Sequence, residues 1–204
     1  MKRADLGSGS DRARGGVYPR PVTEPFPAFE GELVRLRAYE PADFAPLAAL
    51  LSDPEVLAGT TAPMPQAAAD VQRRADRGRA SDDEVVFAID RLEDRRTIGG
   101  CGLKGIDAAT RRAELGVWIG KPFWNRGYGT DAVRTLCRYG FRFLNLQRIG
   151  LDLVATNERA RRAYEKVGFT IEGRRRRFEF ADGAYVDSLV MGLLVEDFVD
   201  DGRR

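Results

Sequence analysis

The turn Trp124-Asn125-Arg126-Gly127-Tyr128-Gly129-Thr130 constrains this chain more than any other stretch. It follows a strand-like run ending in Val117-Trp118-Ile119 and leads into a strongly amphipathic helix pattern that starts near Thr130. A turn of this kind leaves several main-chain N–H groups unpaired at the helix mouth. They converge on one region, where the helix dipole adds a partial positive charge. Phosphate and pyrophosphate groups bind such mouths. With no Cβ at Gly127 or Gly129, a ligand can approach the backbone closely. A glycine pair alone is common in surface turns, so the flanking segments decide the reading.

Those segments change period in a definite order. After Gly129, Val133, Leu136, Cys137, Gly140, Phe141 and Leu144 recur at helical spacing, with Arg134, Arg138 and Arg142 as a basic stripe off the apolar face. Arg112–Ile119 and Arg148–Val154 alternate as strands on either side. Strand–helix–strand order predicts that these two run parallel. Asn157 is placed to cap a short helix, and Gly168 to end it as the C′ residue. Upstream, Leu33 to Arg37 read as a strand, and Pro41 opens a helix with Phe44, Leu47, Ala48 and Leu51 on one face. A second helix is expected over Gln66–Arg77. Val85–Asp90 and Thr97–Leu103 pair around the charged turn Glu93-Asp94-Arg95-Arg96, and a turn over Asp107–Thr110 leads into Arg112–Ile119. Thr170–Phe180 and Tyr185–Leu194 close as a hairpin around Asp182-Gly183. The expected fold is one α+β domain, with a mixed, mostly antiparallel sheet of about seven strands, a central parallel pair and about four helices.

Length and composition set the outer bounds. A chain of 204 residues suits one domain with a sizeable core. Residues 1–29, rich in Gly, Ser, Pro and Arg, read as a flexible arm, and 30–204 as the folded domain. No apolar run approaches the ~20 residues that span a bilayer, and the N-terminus has no signal-like core, so no membrane partner and a cytoplasmic location are expected. The chain has no histidine, which excludes a His base, a Ser-His-Asp triad and His-ligated metal. Acid–base chemistry must come from carboxylate, tyrosine, lysine, cysteine or water. Cys101 and Cys137 lie in apolar patterns and read as small core residues. The net charge of +2 does not single out a nucleic-acid binder, although Arg159, Arg161, Arg162 and the run Arg174–Arg177 concentrate positive charge.

Three motifs in order, Ala113-Glu114-Leu115-Gly116-Val117-Trp118-Ile119, the glycine turn, and Asn157-Glu158-Arg159-Ala160-Arg161-Arg162-Ala163-Tyr164-Glu165-Lys166-Val167-Gly168-Phe169, resemble the GNAT family of N-acetyltransferases. Within it they look most like the ribosomal-protein N-terminal acetyltransferase branch. The resemblance implies the GNAT fold, in which the central parallel strands splay apart and acetyl-CoA, as co-substrate and without a metal, lies in the gap. It further implies that the amides of Arg126, Gly127, Gly129 and Thr130 hold the pyrophosphate, with Tyr128 part of the same turn. The main chain of Val117, Trp118 and Ile119 would bind the pantetheine arm like another strand. Asn157 would contact that arm, and Arg162 and Lys166 would reach the adenosine phosphates. The family turn begins with Gln or Arg three residues before its first glycine, and Trp124 stands there in this chain, as is typical of the branch.

By the same resemblance Tyr164 is the candidate general acid for the departing thiolate. Its spacing with Ala160 and Val167 also suits a half-buried core tyrosine. Glu114 is the candidate base for the attacking amine, or else a surface carboxylate paired with a neighbouring arginine, with Glu179 and Asp187 as weaker alternatives. The implied partners are acetyl-CoA and a primary amine, either a protein N-terminus, ribosomal proteins included, or a small molecule. A longer acyl donor such as succinyl-CoA, or a non-catalytic CoA-binding module, are the alternatives. Leu57–Gln66, with Pro63, Met64 and Pro65, and the hairpin Arg174–Tyr185 are expected to shape the acceptor pocket. The arm and the last strand could support a homodimer.

Overall fold

A computed structural model of the protein describes residues 29–60, 64–181 and 183–200. Residues 1–28 of the expected arm, Pro63 of the expected wall and Asp182 of the last turn therefore lie outside the described residues, while Met64 and Pro65 are exposed. Phe29, placed at the end of the arm, packs instead on Phe87 and Tyr139, with ring centres 5.6 and 5.3 Å apart. Seven strands form one sheet: β1 (Val34–Arg37), β2 (Val85–Arg91), β3 (Thr97–Asp107), β4 (Arg112–Ile119), β5 (Arg148–Val154), β6 (Thr170–Ala181) and β7 (Ala184–Leu194). Their order is β1-β2-β3-β4-β5-β7-β6, and every neighbouring pair is antiparallel except β4 and β5. The expected strands appear close to their expected bounds, because each carries a period-2 apolar pattern.

The parallel pair joins over three positions only, Arg112↔Arg148, Ala113↔Ile149 and Glu114↔Gly150. Beyond them β4 stays on β3 as far as Ile119↔Gly99, while β5 stays on β7 as far as Val154↔Ser188. Each strand follows its own antiparallel partner, and the sheet's twist carries the two apart. The V-shaped gap is the consequence.

Five α-helices flank the sheet: α1 (Phe44–Leu51), α2 (Pro54–Leu57), α3 (Ala68–Ala80), α4 (Tyr128–Phe143) and α5 (Glu158–Glu165). α2 is one more than the sequence reading found. Its single turn is too short to show a period, but Asp53 caps it by accepting the Glu55 N–H (2.9 Å) and Pro54 opens it. Leu47, Ala48, Leu51, Val56 and Val71 form a small core on one face of the sheet, against Tyr39 and Trp118. The main core lies on the other face, where Ala132, Val133, Leu136 and Cys137 of α4 are buried against Ile98, Leu103, Ala113, Leu115 and Ile149.

α4 is buried on more than its apolar stripe. The Asp131 carboxylate accepts the N–H groups of Glu32, Leu33 and Val34 at 3.0, 2.8 and 3.0 Å, which pins the start of β1 to the first turn of α4. Gly31 is required beside it, since a Cβ there would lie 2.2 Å from Asp131 Oδ2. Arg138, expected on an exposed basic stripe, is buried instead and pairs with Asp200 at 2.7 Å. The segment after β7 causes this. Its Phe198 packs on Phe141 with ring centres 5.4 Å apart, and Val199 N–H donates to Val167 O, so the chain crosses the face that Arg138 would have presented to solvent.

Candidate active site

At the mouth of α4, Gly127 holds φ 85°, a left-handed conformation that glycine adopts without strain, and Asn125 holds φ 59°. The first bond of the helix runs from Asp131 N–H to Gly127 O (3.0 Å). The N–H groups of Tyr128, Gly129 and Thr130 precede that ladder and have no hydrogen-bond partner among the described residues. They open onto a cleft of about 400 Å³ between the end of β4 and α5, beyond the point where β4 leaves β5.

One wall of the cleft is the end of β4. Gly120 N–H donates to Ile98 O on β3, so alternation turns the main-chain groups of Val117 and Ile119 toward the gap. Part of that edge is already taken. The indole N–H of Trp124 donates to Ile119 O at 2.6 Å, and the Arg159 guanidinium lies 3.4 Å from the centre of the Trp124 ring. The opposite wall is α5. Asn157 caps it, with Oδ1 accepting the Ala160 N–H at 3.1 Å, while also lining the cleft. At the other end of the helix Gly168 holds φ 109°, and a Cβ there would meet Asp197 O at 2.4 Å.

Tyr164 also lines the cleft and is buried, packed edge-on against Phe169 with ring centres 5.7 Å apart. Its hydroxyl has no hydrogen-bond partner among the described residues. Burial pushes the phenol well above its usual value near 10, so it stays protonated at neutral pH. Positive charge collects at the mouth: Arg126, Arg162 and Lys166 line the cleft, are exposed and make no ion pair with described residues. Their neighbour Arg161 pairs with Glu158 and with Glu165. Unpaired cations beside unpaired amides, around a glycine turn, fit a phosphate-bearing ligand.

The cleft therefore brings together Val117, Trp118, Ile119, Trp124, Arg126, Gly127, Tyr128, Gly129, Thr130, Asn157, Arg162, Tyr164 and Lys166. Glu114 is not among them. It sits where β4 is still paired with β5, is exposed, and faces Lys104 at 3.3 Å rather than an arginine. The sequence reading missed Arg159 as a cleft residue and also missed Glu55, whereas Gly59 lies within the expected acceptor segment Leu57–Gln66. The helix-start signal at Asp53-Pro54 would have placed Glu55. A second, shallower cleft abuts the first and is lined by Val154, Thr156, Ala58, Ala184 and Val186. It shares Glu55, Gly59, Trp124, Asn157 and Arg159 with the first. The expected acceptor segments thus reach the site through Gly59, Thr60 and Ala184. The cysteines are buried elsewhere, and burial raises both thiols above their usual range. Among the described residues there is no cluster of His, Cys, Asp and Glu able to hold a metal, and no helix is long and apolar enough to cross a membrane.

A mixed sheet whose one parallel pair splays beside a free helix mouth defines a class of α+β domains that bind a nucleotide-bearing ligand between strands. The chain belongs to the GNAT acetyltransferase family: the profile of the acetyltransferase (GNAT) domain matches residues 34–170. N-acetyltransferase p20 of Bacillus licheniformis is 34% identical over 112 residues, 55% of this chain and 63% of that protein. YdaF of Bacillus subtilis, whose name proposes ribosomal N-acetyl transfer, is 34% identical over 107 residues, 52% of this chain and 58% of its own length. The chain thus spans about three fifths of the length of these curated relatives. The crystal structure of spermidine N-acetyltransferase from Vibrio cholerae with CoA and spermine superimposes with a TM-score of 0.73, at 22% identity, over 82% of this chain and 98% of that one. Mycobacterium smegmatis RimJ with CoA-disulfide gives 0.72 at 24% identity, over 82% and 84%. At these identities the two structures speak to the fold.

Proposed function

We propose that the protein transfers an acetyl group from acetyl-CoA to a primary amine. The observation that carries this reading is the conjunction, in one cleft, of the unpaired amides at the mouth of α4 with a protonated Tyr164 on α5. When bound, acetyl-CoA supplies the acetyl thioester. The amides of Gly129 and Thr130, with Arg126, hold the diphosphate, while Arg162 and Lys166 meet the remaining phosphate. Free main-chain groups of Val117 align the pantetheine arm, and Asn157 flanks it. Tyr164 Oη holds the proton that the departing sulfur takes as the C–S bond breaks and the new C–N bond forms.

The amine's proton must leave on the other side. Glu114 lies on the same face of β4 as Trp118, four residues and roughly 13 Å away along the strand. Between them, a Cβ at Gly116 would meet nothing within 4 Å, so the trough is open to water. We assign Glu114 to proton removal through such a water chain. The acceptor class is supported by the names of relatives, among them YdaF and the spermidine N(1)-acetyltransferase of Escherichia coli K12, the latter 31% identical over 94 residues.

Thiol release from acetyl-CoA and from succinyl-CoA, followed with protein N-terminal peptides, polyamines and amino acids, tests the proposal. One amine should give turnover and gain one acetyl group by mass spectrometry. CoA binding with no thiol release for any amine would replace this reading with that of a non-catalytic CoA module.

A further inference from the structure

We infer that Glu55 is the residue by which this enzyme selects acceptors that carry a second positive charge, and that Lys121 competes with the acceptor for it. The inference rests on the acetyl-transfer reading of the cleft. Glu55 is the one carboxylate, among the described residues, that lines either cleft, and it lines both. Every other charged side chain there is cationic: Arg126, Arg159, Arg162 and Lys166 in the first, Arg159 in the second. The charge is thus divided. The α4–α5 side suits an anionic nucleotide, and the α2 side suits a cation.

The position suits an acceptor's tail rather than its reacting nitrogen. That nitrogen must be neutral to attack, and it must reach the first cleft, where Tyr164 lies. A carboxylate at the junction of the two clefts gains nothing from a neutral amine, but it holds an ammonium further along the same molecule. The rest of the second cleft near Glu55 is small and apolar (Ala58, Val154, Ala184, Val186), which suits a methylene chain. A primary ammonium from this chain already occupies the proposed role: Lys121 Nζ, in the turn after β4, pairs with Glu55, and that contact raises the lysine's proton affinity. Both side chains are substantially exposed, 45% for Lys121 and 62% for Glu55, so the pair exchanges readily with a soluble cation. Asp53 holds the Glu55 main chain in place through the cap of α2.

The test compares 1,4-diaminobutane with n-butylamine, which share a four-carbon chain and differ in the second ammonium. Binding of each to the CoA complex is measured by calorimetry, which needs no turnover, and KM is measured alongside. Glu55→Gln should weaken diamine binding and raise its KM about tenfold, while leaving n-butylamine within twofold and CoA affinity unchanged. Lys121→Met should move the diamine constants the other way, by about two- to threefold, by freeing the carboxylate. Equal effects on both amines, diamine binding to Glu55→Gln that matches wild type, or no diamine binding to wild type would each overturn the inference. Intact diamine binding without acetylation of any amine would sink the acetyl-transfer reading and leave the Glu55 site standing.

Discussion

The Arg159 guanidinium stacks 3.4 Å above the Trp124 ring, whose N–H is bonded to Ile119 O. One aromatic side chain therefore ties the end of β4 to the start of α5 across the cleft. Removal from water makes the Arg159 guanidinium easier to deprotonate than usual, yet it remains charged at neutral pH, and the face of the indole replaces part of its lost hydration. Trp124 thus acts as a strut.

Stability should register that strut. Arg159→Ala removes the stacked cation and should cost about 0.5–2 kcal/mol in urea denaturation. Trp124→Ala also removes packing against both cores and should cost about 2–4 kcal/mol. The double variant should cost less than the sum of the two. Strict additivity would show that the stack contributes nothing.

The two cradle glycines should behave differently. Valine at 127 must adopt φ 85° and would bring its Cβ to 3.0 Å from Leu33 Cδ1. Left-handed strain of roughly 1–2 kcal/mol should lower the melting temperature, and CoA affinity should fall at least about tenfold. Gly129→Ala meets only Ile119 Cγ1 at 3.8 Å and sits in the first helical turn, where alanine is favoured. That variant should melt no lower than wild type and still bind CoA more weakly, since its methyl intrudes on the phosphate. Calorimetry with unchanged affinity in both variants would remove the cradle from cofactor binding.

Tyr164→Phe should lower kcat by roughly a hundredfold and leave CoA affinity within twofold. An acid works only while protonated, and burial raises this phenol above 10. Wild-type activity should therefore show no alkaline loss attributable to Tyr164 between pH 7 and about 10. A Phe variant as fast as wild type would make Tyr164 a core tyrosine and nothing more.

Much of this was readable from the chain, and the exceptions share a cause. Ile149, Leu151 and Leu153 alternate because β5 has one buried face, and Val133, Leu136, Cys137 and Gly140 repeat because α4 does. Patterns of this kind are local and survive in the sequence. The burial of Arg138 depends on Asp200, 62 residues away, and no local pattern announces such a partner. Likewise the face of Glu114 followed from alternation, but its distance from the cleft did not. That distance is set by how soon β4 and β5 part, which β3 and β7 decide. Trp124 could be read as a departure from the usual turn, whereas its bond to Ile119 required the folded geometry.

Acid should unfold the protein partly through the corner where β1, β2 and β3 meet α1. Arg37 reaches Asp43 at 2.7 and 2.8 Å and Asp90 at 2.6 Å, with Thr97 Oγ1 beside both carboxylates, and both carboxylates are buried. Burial pushes the Asp43 carboxyl up, but the hydrogen bonds from Arg37, the Glu40 amide and Thr97 outweigh it and hold the group below its usual value of 3.8. A carboxyl depressed in the folded state contributes stability that is complete above the unfolded value and is lost as pH falls through the folded one. Wild type should therefore lose stability below about pH 4. Arg37→Met leaves two buried carboxylates without their cation and should cost about 3–5 kcal/mol at pH 7. Without Arg37, burial dominates at Asp43, so its carboxyl moves up and the variant recovers ground as pH drops and the group is neutralised. The stability difference between wild type and Arg37→Met, measured by urea denaturation, should narrow from pH 7 to pH 4. A gap that stays constant over that range would mean that charge at this corner is not what holds it.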